Sequence, residues 1–287
     1  MKIPVLTIFL ILLTGLFLFS MDWPTNQGRI IKNFGWNDEG IPHLGVSFAS
    51  SGSIGASGDG ELLYQRREGD FMSRLPSPLG SWTALDHGDG IISIYSRYES
   101  TGSTELPERL GRGRIFGESG ISGWSSQNGL YFQLFDRKER RWINPFMIVT
   151  SPDTRLPLIH SVRLRNANAE LLDPSTVGII SQGRYVILVD ANDTRLNAND
   201  TPLAPYRIIC ILNGSEAGAL NFETYSARDG SLMVNRNGLV PVRQVFAPVP
   251  AYEVAELWFS RGQTSLEIIA MDIAGNTRNV VYRFIVE

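Results

Sequence analysis

The chain has 287 residues, 43% of them hydrophobic and 19% charged, with 28 Gly and 15 Pro; this composition describes a folded, turn-rich protein with room for two ordinary domains and excludes a disordered one. The formal net charge of −3 supplies no basic face for a polyanion, so no nucleic-acid partner is expected. A single Cys excludes a disulfide framework.

At the N-terminus, Lys2 precedes an uncharged apolar run over residues 3–19. A positive start followed by an apolar core is the pattern of a secretory signal. The end of the run, Leu18-Phe19-Ser20, does not form a small-residue cleavage site, and the run approaches the length of a bilayer span. Residues 1–20 are therefore read as a signal peptide or a single membrane anchor carried by 3–19. No Cys follows the run, which excludes a lipid-anchored form, and the folded part is expected outside the cytoplasm.

From residue 29 to about 147 the chain reads as short β-strands between glycine turns, with β-rich runs at 45–48, 60–64, 90–95 and 131–135. No segment carries a strong 3.6-residue apolar period, so helices should be few. Residues 65–80 form a long connection without an evident element, containing Phe71, Met72 and Leu75; loops of this length are often functional. A Pro-containing polar connector at 150–157 marks a boundary, giving domains at 21–150 and 151–287. In the second, apolar runs at 158–164, 185–189, 206–212, 253–259, 266–271 and 280–286 indicate an all-β sandwich. Cys210 lies in one of these runs and reads as a buried core thiol. The oxygen-rich segment 190–201 lacks the spacing of a calcium loop, and its Asn and Asp are read as turn formers. His87 and His160 have no ligand-like neighbours at useful spacing and read as structural.

Four blocks carry a more specific signal. Residues 28–47 include Phe34-Gly35-Trp36 and end in His43-Leu-Gly-Val-Ser47; residues 86–97 read Asp-His-Gly-Asp-Gly-Ile-Ile-Ser-Ile-Tyr-Ser-Arg; Gly117-Glu-Ser-Gly120 and Gly129-Leu-Tyr131-Phe132 follow. In order and spacing they resemble the LytM/lysostaphin-type zinc endopeptidases, which cut peptide cross-links in bacterial cell walls. The resemblance implies zinc ligands at positions 43, 47 and 131 and catalytic histidines at 97 and 129. This chain has His43, Ser47 and Tyr131 at the ligand positions, and Arg97 and Gly129 at the catalytic ones. A catalytic zinc takes about three His, Asp, Glu or Cys ligands plus water, whereas this set offers one imidazole, a hydroxyl and a phenol. Arg97 is cationic at any working pH and can neither bind zinc nor act as a base. The resemblance thus implies the fold without the chemistry. The expected fold class is all-β, a LytM-like antiparallel domain followed by a β-sandwich whose final turn, Asp272-Ile-Ala-Gly-Asn276, resembles Ig-like or fibronectin-like modules.

The expected function is that of an exported, non-catalytic protein of the periplasm or cell envelope, with no catalytic residue, metal or other cofactor. Its partner would be an envelope protein such as a cell-wall hydrolase, or a peptidoglycan peptide. The ancestral peptide groove, lined by His43, Ser47, Arg97, Tyr131, Phe71 and Met72, would provide the contact. Two alternatives are a passive peptidoglycan-binding or structural envelope protein, and a zinc endopeptidase with an altered site.

Overall fold

A computed structural model describes residues 21–49, 52–69, 75–100, 105–149, 153–194, 201–246 and 250–287. The apolar run at 3–19 and the loop residues Phe71 and Met72 lie outside these. Among the described residues no helix is long and apolar enough to cross a membrane. The chain is all β, and the described helices are single 3-10 turns at Pro145–Met147 and Val242–Gln244.

In the first half the governing pattern is a period of two. Along the strand Gly129–Asp136, Leu130, Phe132 and Leu134 enter a buried cluster with Val46, Phe48, Ile54 and Tyr95. Gly129, Tyr131 and Gln133 consequently face the opposite side of the sheet. The strands Val46–Ala49 and Ile91–Ser100 flank this one antiparallel, so that Tyr131 stands opposite Ser47 on one neighbour and Ser96 on the other. Arg29–Lys32 pairs outside Val46–Ala49, and Ser81–Asp86 and Gly60–Arg66 extend the sheet beyond Ile91–Ser100. Trp23 closes the apolar face by packing edge-on against Phe48, Phe132 and Phe146 at ring distances of 5.5, 6.4 and 4.9 Å. Burial of each such side chain stabilises by about 1.5–3 kcal/mol, which fixes the register and leaves the opposite face free for a site.

The second half holds two sheets around one core. One runs from Thr277–Val286 through Gly262–Met271, Arg207–Leu212 and Ser215–Arg228 to Ser231–Arg236. The other joins Leu158–Arg165, Gly183–Asn192 and Tyr252–Phe259. Val162, Leu164, Ile187 and Val189 of the second sheet meet Ile208, Cys210, Leu266 and Ile268 of the first. Cys210 has no exposure, and burial pushes its thiol up to about 12, so it packs as a small apolar side chain.

The halves interlock. Arg141–Ile143 pairs with Gly129–Asp136 on one side and with Ser215–Arg228 on the other, so one sheet runs through both. Phe34, with Trp36 and Leu44 beside it, belongs to the second core although it lies early in the chain. Its ring is 4.7 Å from that of Tyr225. Gly35 next to it has φ +88°, and a Cβ there would meet the Phe222 ring at 2.7 Å; the turn needs a residue that tolerates both. Asn33 clasps Ala204 with two hydrogen bonds of 2.9 and 2.7 Å.

Candidate functional site

The face opposite the first core carries a cleft of about 530 Å³. Its lining includes Arg29, Lys32, Asp38, His43, Ser47 and Arg97, together with residues 124–127, Gly129, Leu130 and Thr201. The strands at 46–49, 91–100 and 129–136 therefore bring the separated sequence blocks to one place. His43 and Ser47 meet directly, with Nε2 and Oγ 3.0 Å apart. The His43 ring lies 4.7 Å from the Tyr131 ring, and the Arg97 guanidinium carbon stands 5.0 Å from the centre of that same ring.

Tyr131 departs from the sequence-based expectation that it lines the groove. It is only 8% exposed and is not part of the cleft lining. Its phenol oxygen is hydrogen-bonded by the Leu44 backbone, and burial holds its proton well above the usual range. Tyr131 is thus the floor on which His43 and Arg97 rest, for the physical reason that a large ring on a closely paired central strand fills the space beneath them. Phe71 and Met72 lie outside the described residues. Trp124 lies in none of the sequence motifs: it stands on the rim, 76% exposed, with its backbone N–H donating to the Pro78 carbonyl at 3.1 Å. A lone tryptophan among small polar residues between two of the blocks is the signal that could have found it. Arg29 and Lys32 belong to the 28–47 block and enter on the strand paired with Val46–Ala49, whereas Thr201 enters from a segment that no local motif connects.

Arg97 owes its position to a β-bulge. Ser81 pairs with Tyr98 and Trp82 with Ser96, so Arg97 is the extra residue. Its φ is +63°, in the left-handed region, and its N–H is satisfied by the Leu79 carbonyl at 2.8 Å. The bulge turns the side chain onto Tyr131, where the cation meets the electron-rich ring face.

These residues do not fit a zinc ion. The only imidazole among the five matched positions is His43; Ser47 and Tyr131 offer neutral oxygens, and Arg97 brings a positive charge into the place. Position 129 offers no side chain and has no space for one, because a Cβ there would lie 2.1 Å from the Phe48 carbonyl oxygen. The His43–Ser47 contact does not make a hydrolytic dyad either. Burial first, then the charges of Lys32 and Arg97, hold the imidazole at about 3, far below the value at which it could accept a serine proton at neutral pH.

The other two histidines have structural contacts. His87 places Nδ1 2.8 Å from the Asp59 carbonyl and Nε2 2.7 Å from Ser93 Oγ. His160 Nε2 lies 2.5 Å from the Asn192 amide nitrogen, which donates to it.

Comparison with solved structures finds several likenesses. The chain is similar to a component of the SpoIIQ–SpoIIIAH pore-forming complex, at 17% identity over 46% of this chain and 92% of that one, with a TM-score of 0.38. It is similar to a variant of the catalytic domain of the prophage-encoded protein EnpA from Enterococcus faecalis, at 18% identity over 41% and 87%, TM-score 0.35. It is also similar to Csd3 from Helicobacter pylori, at 19% identity over 48% and 37%, TM-score 0.37. A family model matches residues 156–287. No curated protein matches the chain.

Proposed function

We propose that this chain is a non-catalytic LytM-like protein of the cell envelope, exported across or anchored in the inner membrane by residues 3–19, whose cleft docks a protein partner such as a cell-wall hydrolase. One observation carries the reading. The five positions that the sequence motifs align with an active centre gather around one cleft and its floor, and they present one neutral imidazole, a serine, a strained arginine, a buried tyrosine and a glycine with no space for a side chain. A cleft that keeps its form while its reactive groups are gone retains strand edges and side-chain pockets for an extended peptide. The exposed Trp124 and the cationic Arg97 are residue types that dominate interface energetics. The second half, an Ig-like module in this reading, serves as spacer and supplies Thr201 to the cleft rim, where its Oγ1 accepts a hydrogen bond of 3.2 Å from Arg29.

Two measurements test this. The purified full chain should contain less than about one-tenth of a zinc ion per molecule, because a single imidazole is too few ligands; near-stoichiometric zinc that disappears in His43→Ala would overturn the non-catalytic reading. Co-purification from the native envelope should recover a defined protein partner whose capture is lost in Trp124→Ala. Recovery of peptidoglycan alone would instead favour a passive wall-binding role.

A further inference from the structure

Three cationic side chains, Arg29, Lys32 and Arg97, line the cleft against one carboxylate, Asp38. Lys32 takes that carboxylate at 2.6 Å, and among the described residues neither arginine forms an ion pair. The neighbouring rings add no compensating charge: His43 is neutral down to about 3 and Tyr131 keeps its proton. Among the described residues of the lining, the cleft therefore holds two guanidinium groups whose charge no carboxylate balances.

Arg97 is the more informative of the two. Among the described non-glycine residues it is the one that has positive φ inside a strand; the others with positive φ lie outside the strands. Strain of that kind persists where the surroundings over-determine it and clusters at binding sites. The guanidinium rests on Tyr131, and its Nε is shielded from solvent with no hydrogen-bond partner among the described residues. An N–H that has lost water and gained no acceptor is unfavourable, and the planar fork of a guanidinium is matched best by a carboxylate. Trp124, exposed on the same cleft, offers an apolar platform beside it.

We infer that the cleft binds a carboxylate-bearing peptide segment of its protein partner, with Arg97 as the anchor for the carboxylate and Trp124 as the apolar contact next to it. This deepens the contact-surface reading above and rests on it. In mechanism, Arg97 supplies at this place a fixed positive charge that needs no metal, and the bulge and Tyr131 hold it in one orientation before the ligand arrives. Such preorganisation lowers the ordering cost of binding. The carboxylate could belong to a chain terminus or to an acidic side chain.

Affinity selection on the full chain distinguishes these. Three pools of random short peptides are offered: one with free C-termini and no Asp or Glu, one amidated and containing Glu, and one amidated without acidic residues. The first or second pool should yield binders, according to the source of the carboxylate, and the third should not. Peptides so selected should bind Arg97→Gln at least about tenfold more weakly. Arg97→Gly, which relaxes the left-handed backbone, should lose binding equally while keeping the thermal stability of the parent, so the loss cannot be ascribed to unfolding. Equal selection from all three pools, selection from none, or undiminished affinity in Arg97→Gln would overturn the inference. Native partner capture separates its failure from that of the docking reading. Capture that survives Arg97→Gln but fails in Trp124→Ala removes the carboxylate anchor alone; capture that survives both removes the docking surface as well.

Discussion

At position 129 the backbones of two neighbouring strands approach so closely that a single added methyl group decides the outcome. The Phe48 carbonyl would stand 2.1 Å from a new Cβ, well inside van der Waals contact, and Phe48 is itself fixed by its burial in the core. Gly129→Ala is expected to destabilise the fold by about 1–3 kcal/mol, the range for overpacking, read as a lowered denaturation midpoint. Wild-type stability in this variant would show that the strands can part, and that a histidine could be restored there. His43 makes a separate, pH-dependent prediction. Its folded value of about 3 lies below the ordinary 6.5, so between those limits the unfolded chain binds a proton that the folded chain refuses. The stability contributed by the neutral ring is complete above 6.5 and is lost as pH falls toward 3, at up to about 1.4 kcal/mol per pH unit. His87 is shifted the same way, chiefly by burial, and adds to the slope. Urea unfolding across this interval should therefore give a shallower pH dependence for His43→Gln than for the parent; identical slopes would mean that the imidazole is solvated.

Among the elements, the bulged strand Ile91–Ser100 joins strain to function. If Arg97 is kept at φ +63° for its guanidinium, then glycine at this position should not weaken the strand. The left-handed conformation costs a non-glycine residue roughly 1–2 kcal/mol, against which Arg97→Gly forfeits only the stacking on Tyr131. Tyr131→Ala, by contrast, removes a buried ring on the central strand Gly129–Asp136 and should cost about 3–5 kcal/mol, the usual loss for a large core aromatic. A melting temperature lowered in both variants would place Arg97 with Tyr131 as a packing residue. The same two strands show what the sequence could reveal. The β-rich runs at 90–95 and 131–135 made these elements legible, and the order of the motif blocks implied, through the family resemblance, that positions 43, 47, 97 and 131 share one groove. The depth of Tyr131 was not legible, because period two gives the face of a residue and not what covers it. Nor does any apolar run announce Ser215–Arg228 and Ser231–Arg236. Their buried Leu220, Phe222, Tyr225 and Val234 are spaced among polar residues, and a register shift between Asn221 and Tyr225 breaks the alternation. Thr201 reaches the cleft through a tertiary contact with Arg29 that no local pattern encodes.

For the molecule as a whole, the cleft depends on both halves. Arg29 is bonded to Thr201, Asn33 to Ala204, Phe34 is inserted in the second core, and Tyr252 donates its hydroxyl hydrogen bond to the Gly35 carbonyl at 3.2 Å. The segment from Arg29 to His43 thus runs from one wall of the cleft through the second core and back to the cleft, where His43 rests on Tyr131. Loss of the Phe34 anchor should loosen both ends at once. Phe34 has no exposure, so Phe34→Ala should cost about 3–5 kcal/mol through lost burial and the cavity left behind. Since the sheet is continuous through Arg141–Ile143, the parent protein should unfold in one transition, with tryptophan fluorescence from Trp23 in the first core coinciding with the circular dichroism of all strands. Trp23 should be followed in a variant whose other tryptophans are replaced by Phe. The Phe34→Ala protein should keep that coincidence at a lower midpoint. It should also bind the selected carboxylate peptides more weakly under conditions where it remains folded, because Arg29, Lys32 and His43 are all carried by the loosened segment. Two separated transitions in the parent would show that the halves are independent, and undiminished peptide binding by folded Phe34→Ala would show that the cleft is assembled within the first half alone.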